Sequence, residues 1–250
     1  MAIYHNSFQI ITRSKGQSSV AAAAYRSGAR LKDNRTGITH DFTSRKGVET
    51  HGIIAPKNAP SWVLERSSLW NKVESMERRN DAQLCREINI ALPKELTLSQ
   101  NVQLVKSYVS TDFVRLGMIA DICFHDMESN NPHVHVMLTM RELSGNSFGN
   151  KNRDWNNKEN IMEWRRRWAE RVNTELKNSG IDQQIDHRSL ENQGVVRKPT
   201  RHKGYYLCML EKLLARITSS LTQSNKCDLS KVISQEKSLA KRSTSNLSTH

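Results

Sequence analysis

No pair among the four cysteines, Cys85, Cys123, Cys208 and Cys227, is spaced as CxxC. That absence argues against a zinc ribbon or knuckle and leaves reduced thiols, mostly in a core. The N-terminal stretch "MAIYHNSFQIITRSKGQ" lacks an apolar h-region and does not read as a secretory signal. No window approaches the roughly 20 apolar residues of a membrane span. A cytoplasmic chain without a membrane span is the expectation. Internal repeats are absent as well. Acidic residues are few: 25 Asp and Glu stand against 38 Lys and Arg, for a formal net charge of +13 over 250 residues. A solvated surface could carry that excess, but a polyanionic partner, nucleic acid foremost, is the better reading. The length allows one substantial core, or a core and a tail.

Patterning predicts an α+β protein, a largely antiparallel sheet covered by helices. Strands are expected over residues 2–13, in "ITHDF" after the turn "DNRTG", and over 82–93, 119–126 and 133–141. Helices are expected over 18–32 (capped by Ser18 or Ser19), 59–79, 97–117 (closed by Gly117) and 158–180. In the last of these Ile161, Trp164, Trp168, Val172 and Leu176 share one face, with Arg165, Arg166 and Arg167 mostly outside it. From about Ser219 the chain is rich in Ser, Thr, Asn and Lys without a sustained apolar stripe. This predicts two parts, a folded domain over 1–218 and a mobile basic tail over 219–250.

The stretch "DICFHDMESNNPHVHVMLTMR" places His125, His133 and His135 close together. With 126–132 as a hairpin loop, His125 falls opposite His133 and Cys123 opposite His135. The imidazoles then share one face, while Ile122, Phe124, Val134, Val136 and Leu138 take the other as a core face. Three neutral imidazoles around one point suit a divalent metal with open positions, and imidazoles alone would favour Zn, Co or Ni. The bland alternative is three surface or hydrogen-bonded histidines. For a triplet on one face the metal is the preferred reading.

A metal on a basic sheet suggests phosphate chemistry, which still needs an attacking group. Tyr25, in "AAAAYRSG", has Ala21, Ala22, Gly28 and Ala29 as helical neighbours. These small residues could let a helix pack tightly on a sheet, or could leave a DNA strand room to reach the phenol. Composition alone leaves the two even.

Taken in order, "AAYRSG", "REINIALP", "NPHVHVMLTMR" with its upstream histidine, "DHRSLENQG" and "PTRHKG" resemble the MobA/MobL-type (MobQ) plasmid mobilisation relaxases. These belong to the HUH endonucleases, named for a His–hydrophobic–His strand. The resemblance covers roughly residues 1–205. It implies an HUH relaxase fold and a DNA relaxase that nicks one strand at an origin of transfer. Tyr25 would be the nucleophile, and His125, His133 and His135 would hold the metal, with Mg or Mn as the working ion. Glu87, and with it Glu74, would occupy acidic active-site positions. Transesterification would leave a 5′-phosphotyrosyl link that can be rejoined after transfer. The partners implied are single-stranded origin DNA, accessory mobilisation proteins and a coupling protein. Lys15, Arg26, Arg30 and Lys32 surround the tyrosine helix and are candidate phosphate contacts.

Larger relatives can carry a helicase or primase region, whereas only a short polar tail follows here. The chain is either a minimal relaxase or an N-terminal fragment. Two other classes stay open. A rolling-circle initiator or transposase would use Tyr205 or Tyr206 in "GYYLCML", although Leu207, Leu210, Leu213 and Leu214 favour a core helix there. A non-catalytic basic DNA-binding protein would use the histidines and Tyr25 for packing.

Overall fold

Alternating apolar residues in four stretches build the centre of the protein. The computed structural model describes residues 4–196 and Leu213. Tyr205, Tyr206, the "PTRHKG" block, the boundary expected near residue 218 and the tail lie outside the described residues. Residues 1–189 form one unit and residues 190–250 fall into a second. In the second, Val195 N donates to Leu190 O at 2.9 Å to close a turn. The first unit carries every element discussed below.

Its strands are β1 (Asn6–Thr12), β2 (Arg30–Lys32), β3 (Thr39–Asp41), β4 (Val48–Ile54), β5 (Gln83–Ala91), β6 (Ala120–His125), β7 (His133–Thr139), β8 (Arg141–Ser144) and β9 (Ser147–Lys151). Its helices are α1 (Ser19–Ser27), α2 (Arg66–Met76), α3 (Leu98–Asp112) and α4 (Lys158–Asn178). The main sheet runs β1-β5-β7-β6-β4, with every neighbouring pair antiparallel. The fold is α+β, as the pattern predicts. No described helix is long and apolar enough to cross a membrane.

One face of the sheet presents Ile88, Ile90, Ile122, Phe124, Val134, Val136 and Leu138 to Val105, Tyr108 and Val109 of α3 and to Trp164, Trp168 and Val172 of α4. This is the expected core face, packed by the expected apolar stripe of α4. The opposite face packs a core as well. Cys85 and Met137 there meet Ala22, Ala23 and Ala24 of α1 and Leu69, Trp70 and Val73 of α2 in a second buried cluster. The alanines of "AAAAYRSG" therefore do pack tightly. Cys85 and Cys123 are buried free thiols, as expected of core cysteines, and burial pushes the Cys123 thiol up to about 12.

Several element ends differ from the pattern. Helix α1 stops at Ser27, where Gly28 takes a left-handed φ of 61° and Ala29 N closes onto Ala24 O. The expected helical residues 30–32 instead form β2, paired with β3. The helix expected over 59–79 is broken: a 3-10 turn (Ser61–Leu64) precedes Glu65, whose extended backbone and carboxylate cap α2. Helix α3 ends at Asp112 and a separate 3-10 turn leads to Gly117. Strand β4 and the β8–β9 hairpin were not anticipated.

Helix α2 is tied to β6 by a buried ion pair. Arg66 donates to Asp121 at 2.7 and 2.8 Å, and Trp70 Nε1 donates to the same carboxylate at 2.9 Å. Asp121 is 2% exposed. Removing its cation leaves a buried carboxylate uncompensated, and such losses cost about 3–5 kcal/mol. Arg66→Met should therefore lower the free energy of urea unfolding by about that amount. Arg66→Met combined with Asp121→Asn should recover part of the loss. Equal stability of Arg66→Met and wild type would show that the pair does not fix α2.

Candidate active site and metal centre

The register of the β6–β7 hairpin sets His125 against His133 and Cys123 against His135. This is the register the sequence predicts, and it collects the three imidazoles on the α1 side of the sheet. Ring centroids lie 5.3, 4.9 and 5.2 Å apart. One nitrogen from each ring lies within 4.8 Å of the others. An ion central to such a set would stand no more than ~2.8 Å from each nitrogen, against ~2.1 Å for a metal–imidazole bond. Side-chain closure of under ~1 Å would complete the coordination.

Each ring also has a partner that fixes its orientation. His135 Nδ1 lies 2.9 Å from Glu87 Oε1, and His133 Nδ1 lies 2.8 Å from Asn131 O. Both acceptors call for a proton on Nδ1, which leaves Nε2 of each ring with its lone pair. His125 is inverted: Nε2 meets Arg26 O at 2.7 Å, so its lone pair is on Nδ1. Such outer hydrogen bonds accompany metal-binding histidines generally. Burial first, then His135 and the Arg45 guanidinium, pushes His125 down to about 3. Burial likewise lowers His135. Both imidazoles are thus held in the neutral form that a metal requires. The donor set and its spacing fit one divalent ion with open positions.

Glu87 lies at the bottom of the site, with no solvent exposure. Strand β5 places it there between Arg86 and Ile88, which face α4 and α3. Its carboxylate accepts from Arg26 Nε and a terminal guanidinium nitrogen at 2.5 and 2.6 Å, from Gln9 Nε2, and from His135. Burial alone would raise its pKa, but the bonds from His135 and Arg26 outweigh it and bring the carboxyl to about 2. The carboxylate is thus held ionised beside His135.

Tyr25 occupies the C-terminal part of α1 and is 43% exposed. Phe42 meets its ring edge-on at 5.2 Å. Arg45 lies over its face, with Cζ 3.8 Å from the ring centroid. The same guanidinium donates to Tyr25 O and lies 3.2 Å from His125 Nδ1. Arg45 therefore joins the tyrosine to the histidine triad. Sequence reasoning missed it, because "TSRKG" reads as one more basic loop.

The other candidate residues fall elsewhere or do other work. Glu74 is buried, but its partners are Arg13, Arg35 and both the backbone N and the hydroxyl of Ser19. It holds the N-terminal end of α1, six residues or about 9 Å along the helix from Tyr25. Arg26 does not offer a free cation to DNA, since Glu87 occupies its fork. Arg30 is exposed and 3.7 Å from Asp41. Lys15 and Lys32 are exposed. Part of the basic excess is consumed internally: Arg167 and Arg171 pair with Asp112, and Arg166 with Glu163 and Glu170.

The MobA/MobL family model matches residues 17–212. The conjugal transfer protein TraA of Rhizobium radiobacter is 39% identical over 235 residues, covering 82% of this chain and 21% of its own length. The mobilization protein MobL of Acidithiobacillus ferridurans is 34% identical over 238 residues, covering 82% of this chain and 62% of its own. A solved structure concerned with the molecular basis of vancomycin resistance transfer in Staphylococcus aureus matches with a TM-score of 0.70 at 33% identity. That match covers 75% of this chain and all of the other. The chain spans about a fifth of the length of the TraA relatives it matches. The chain belongs to the MobA/MobL family.

Proposed function

We propose that the described unit is the nicking domain of a DNA relaxase acting in plasmid mobilisation, with single-stranded DNA at an origin of transfer as its substrate. The observation that carries this reading is the juxtaposition of an exposed phenol and a three-histidine centre through one guanidinium. The names of the relatives, conjugal transfer and mobilization proteins, agree with it.

Tyr25 Oη attacks the phosphorus of one phosphodiester. The new bond is Tyr25 Oη–P and the bond broken is P–O3′. The phenolic proton goes to solvent or a nearby base, and the departing 3′-oxygen takes up a proton. The products are a 5′-phosphotyrosyl link and a free 3′-hydroxyl, and reversal rejoins the strand without ATP. A divalent ion, Mg or Mn, supplies polarisation of a phosphate oxygen and neutralises developing charge when bound. His125, His133 and His135 would hold it, and Glu87 would keep His135 in the tautomer with a proton on Nδ1. Glu74 acts at a distance by fixing the helix that carries Tyr25. Lys15, Arg30 and Lys32 remain available to the DNA backbone. Accessory mobilisation proteins and a coupling protein are the further partners of this reading. The tail from residue 219 contributes non-specific affinity at most, so its removal should leave cleavage intact.

Tyr25→Phe tests the assignment of the nucleophile. The variant should bind single-stranded DNA and metal as wild type does, yet form no covalent adduct on denaturing gels with Mg or Mn present. Adduct formation by Tyr25→Phe would sink the assignment. The two acidic positions should separate cleanly. Glu87→Gln should weaken Mn affinity in titration calorimetry by about 10–100-fold, the usual effect of losing an orienting partner. Glu74→Gln should leave Mn affinity unchanged and lower thermal stability instead. Weaker Mn binding by Glu74→Gln would place that carboxylate in the site after all. Single-stranded DNA affinity should also fall with salt, with a log–log slope of about −0.7 per phosphate contacted. A flat salt dependence would remove phosphate contacts from the account.

A further inference from the structure

Arg45 lies in the loop between β3 and β4, and that loop is anchored to both halves of the site. At its start Phe42 N donates to Ala29 O at 3.2 Å, just past the end of α1, and Arg45 N donates back to Phe42 O at 3.0 Å. At its end Gly47 O accepts from the backbone N of Asp126, the residue after His125, at 2.9 Å. Gly47 has a φ of 83°, and a Cβ there would stand 2.4 Å from Asp126 Oδ1. The left-handed φ favours glycine at this position. The loop thus delivers Arg45 to a fixed place between the tyrosine and the triad.

The cation lacks the partner that others near it have. Arg26, Arg66, Arg13 and Arg141 are each paired with a carboxylate. Among the described residues no such pair involves Arg45. Its contacts are one carbonyl, one aromatic face and one imidazole lone pair. A half-buried guanidinium of this kind has donors to spare for an anion, and its fork suits a phosphate. The lone pair it holds, His125 Nδ1, is also the one that His125 has left for a metal. Two cations cannot share it.

We propose that Arg45 is a phosphate-binding residue of this site: it donates to a non-bridging oxygen of the phosphodiester that Tyr25 attacks, and before metal and DNA bind it holds the lone pair of His125. With Nδ1 given over to a metal, the guanidinium would be free to donate to the incoming phosphate. The inference rests on the relaxase reading above. It adds a third source of positive charge beside the metal and the exposed cations, aimed at the atoms where charge develops.

Arg45→Gln and Arg45→Lys test it, with folding checked by thermal melts. Arg45→Gln should slow adduct formation about 10²-fold, the scale for loss of one transition-state donor. Arg45→Lys, which keeps the charge but loses the fork, should fall between Arg45→Gln and wild type. Affinity for an oligonucleotide ending at the 3′-hydroxyl before the scissile phosphate should not change. In the absence of DNA, Mn should bind Arg45→Gln about tenfold more tightly, as expected when a charge-assisted hydrogen bond no longer competes for Nδ1. Wild-type adduct rates in Arg45→Gln, or weaker Mn binding by it, would overturn the proposal. If wild type itself forms no adduct, the relaxase reading fails, and the Mn titration still decides whether Arg45 competes for His125.

Discussion

A carboxylate with no access to water must be neutralised where it lies, and Glu87 draws its partners from three separate elements. Arg26 comes from α1, Gln9 from β1 and His135 from β7. The demand to pair this charge fixes how α1 lies on the sheet. Consecutive residues on a helix point about 100° apart, so committing Arg26 to the floor turns Tyr25 outward. The last turn of α1 is held a second time through its carbonyls, which have no intrahelical donors. Arg26 O receives His125, and Tyr25 O receives Arg45. The site residues are therefore also the C-terminal anchors of the helix that presents the phenol. Loosening Glu87 would disturb tyrosine, histidine and arginine together.

The two faces of the sheet divide the work. The α3–α4 face is large and apolar, built around Trp164 and Trp168, and supplies rigidity. The α1–α2 face has a smaller core of alanines, Leu69 and Trp70, and leaves room for polar groups beside it. From the other end, Glu74 of α2 holds the start of α1 through Ser19, and Asp121 of β6 holds α2 through Arg66. Net charge alone overstates what is available to a polyanion, because many arginines are spent on these buried carboxylates and on Asp112.

The hairpin register, the shared face of the histidines and the apolar stripe of α4 were legible because each rests on a local period and a short loop. Glu87 was legible from the resemblance, and its burial suits a strand reading "LCREINIA". What the sequence hid is tertiary. The end of α1 turned on a single glycine, Gly28, inside a run that otherwise favours helix. Strand β4, "VETHGII", is an edge strand with mostly exposed residues and lacks the apolar alternation that marks a strand. The second core went unseen because its α1 side is mostly alanine, which carries little hydrophobic signal. Arg26 was grouped with surface cations because sequence counts charges without pairing them, and Arg45 had no local signature at all.

Mass-spectrometric mapping of the trapped adduct tests the central claim most directly. Wild-type protein would be incubated with single-stranded origin DNA and Mg or Mn, then digested. The account predicts DNA attached through phosphotyrosine to the peptide containing Tyr25. Attachment to the peptide containing Tyr205 and Tyr206, or no attachment with any such DNA, would contradict it.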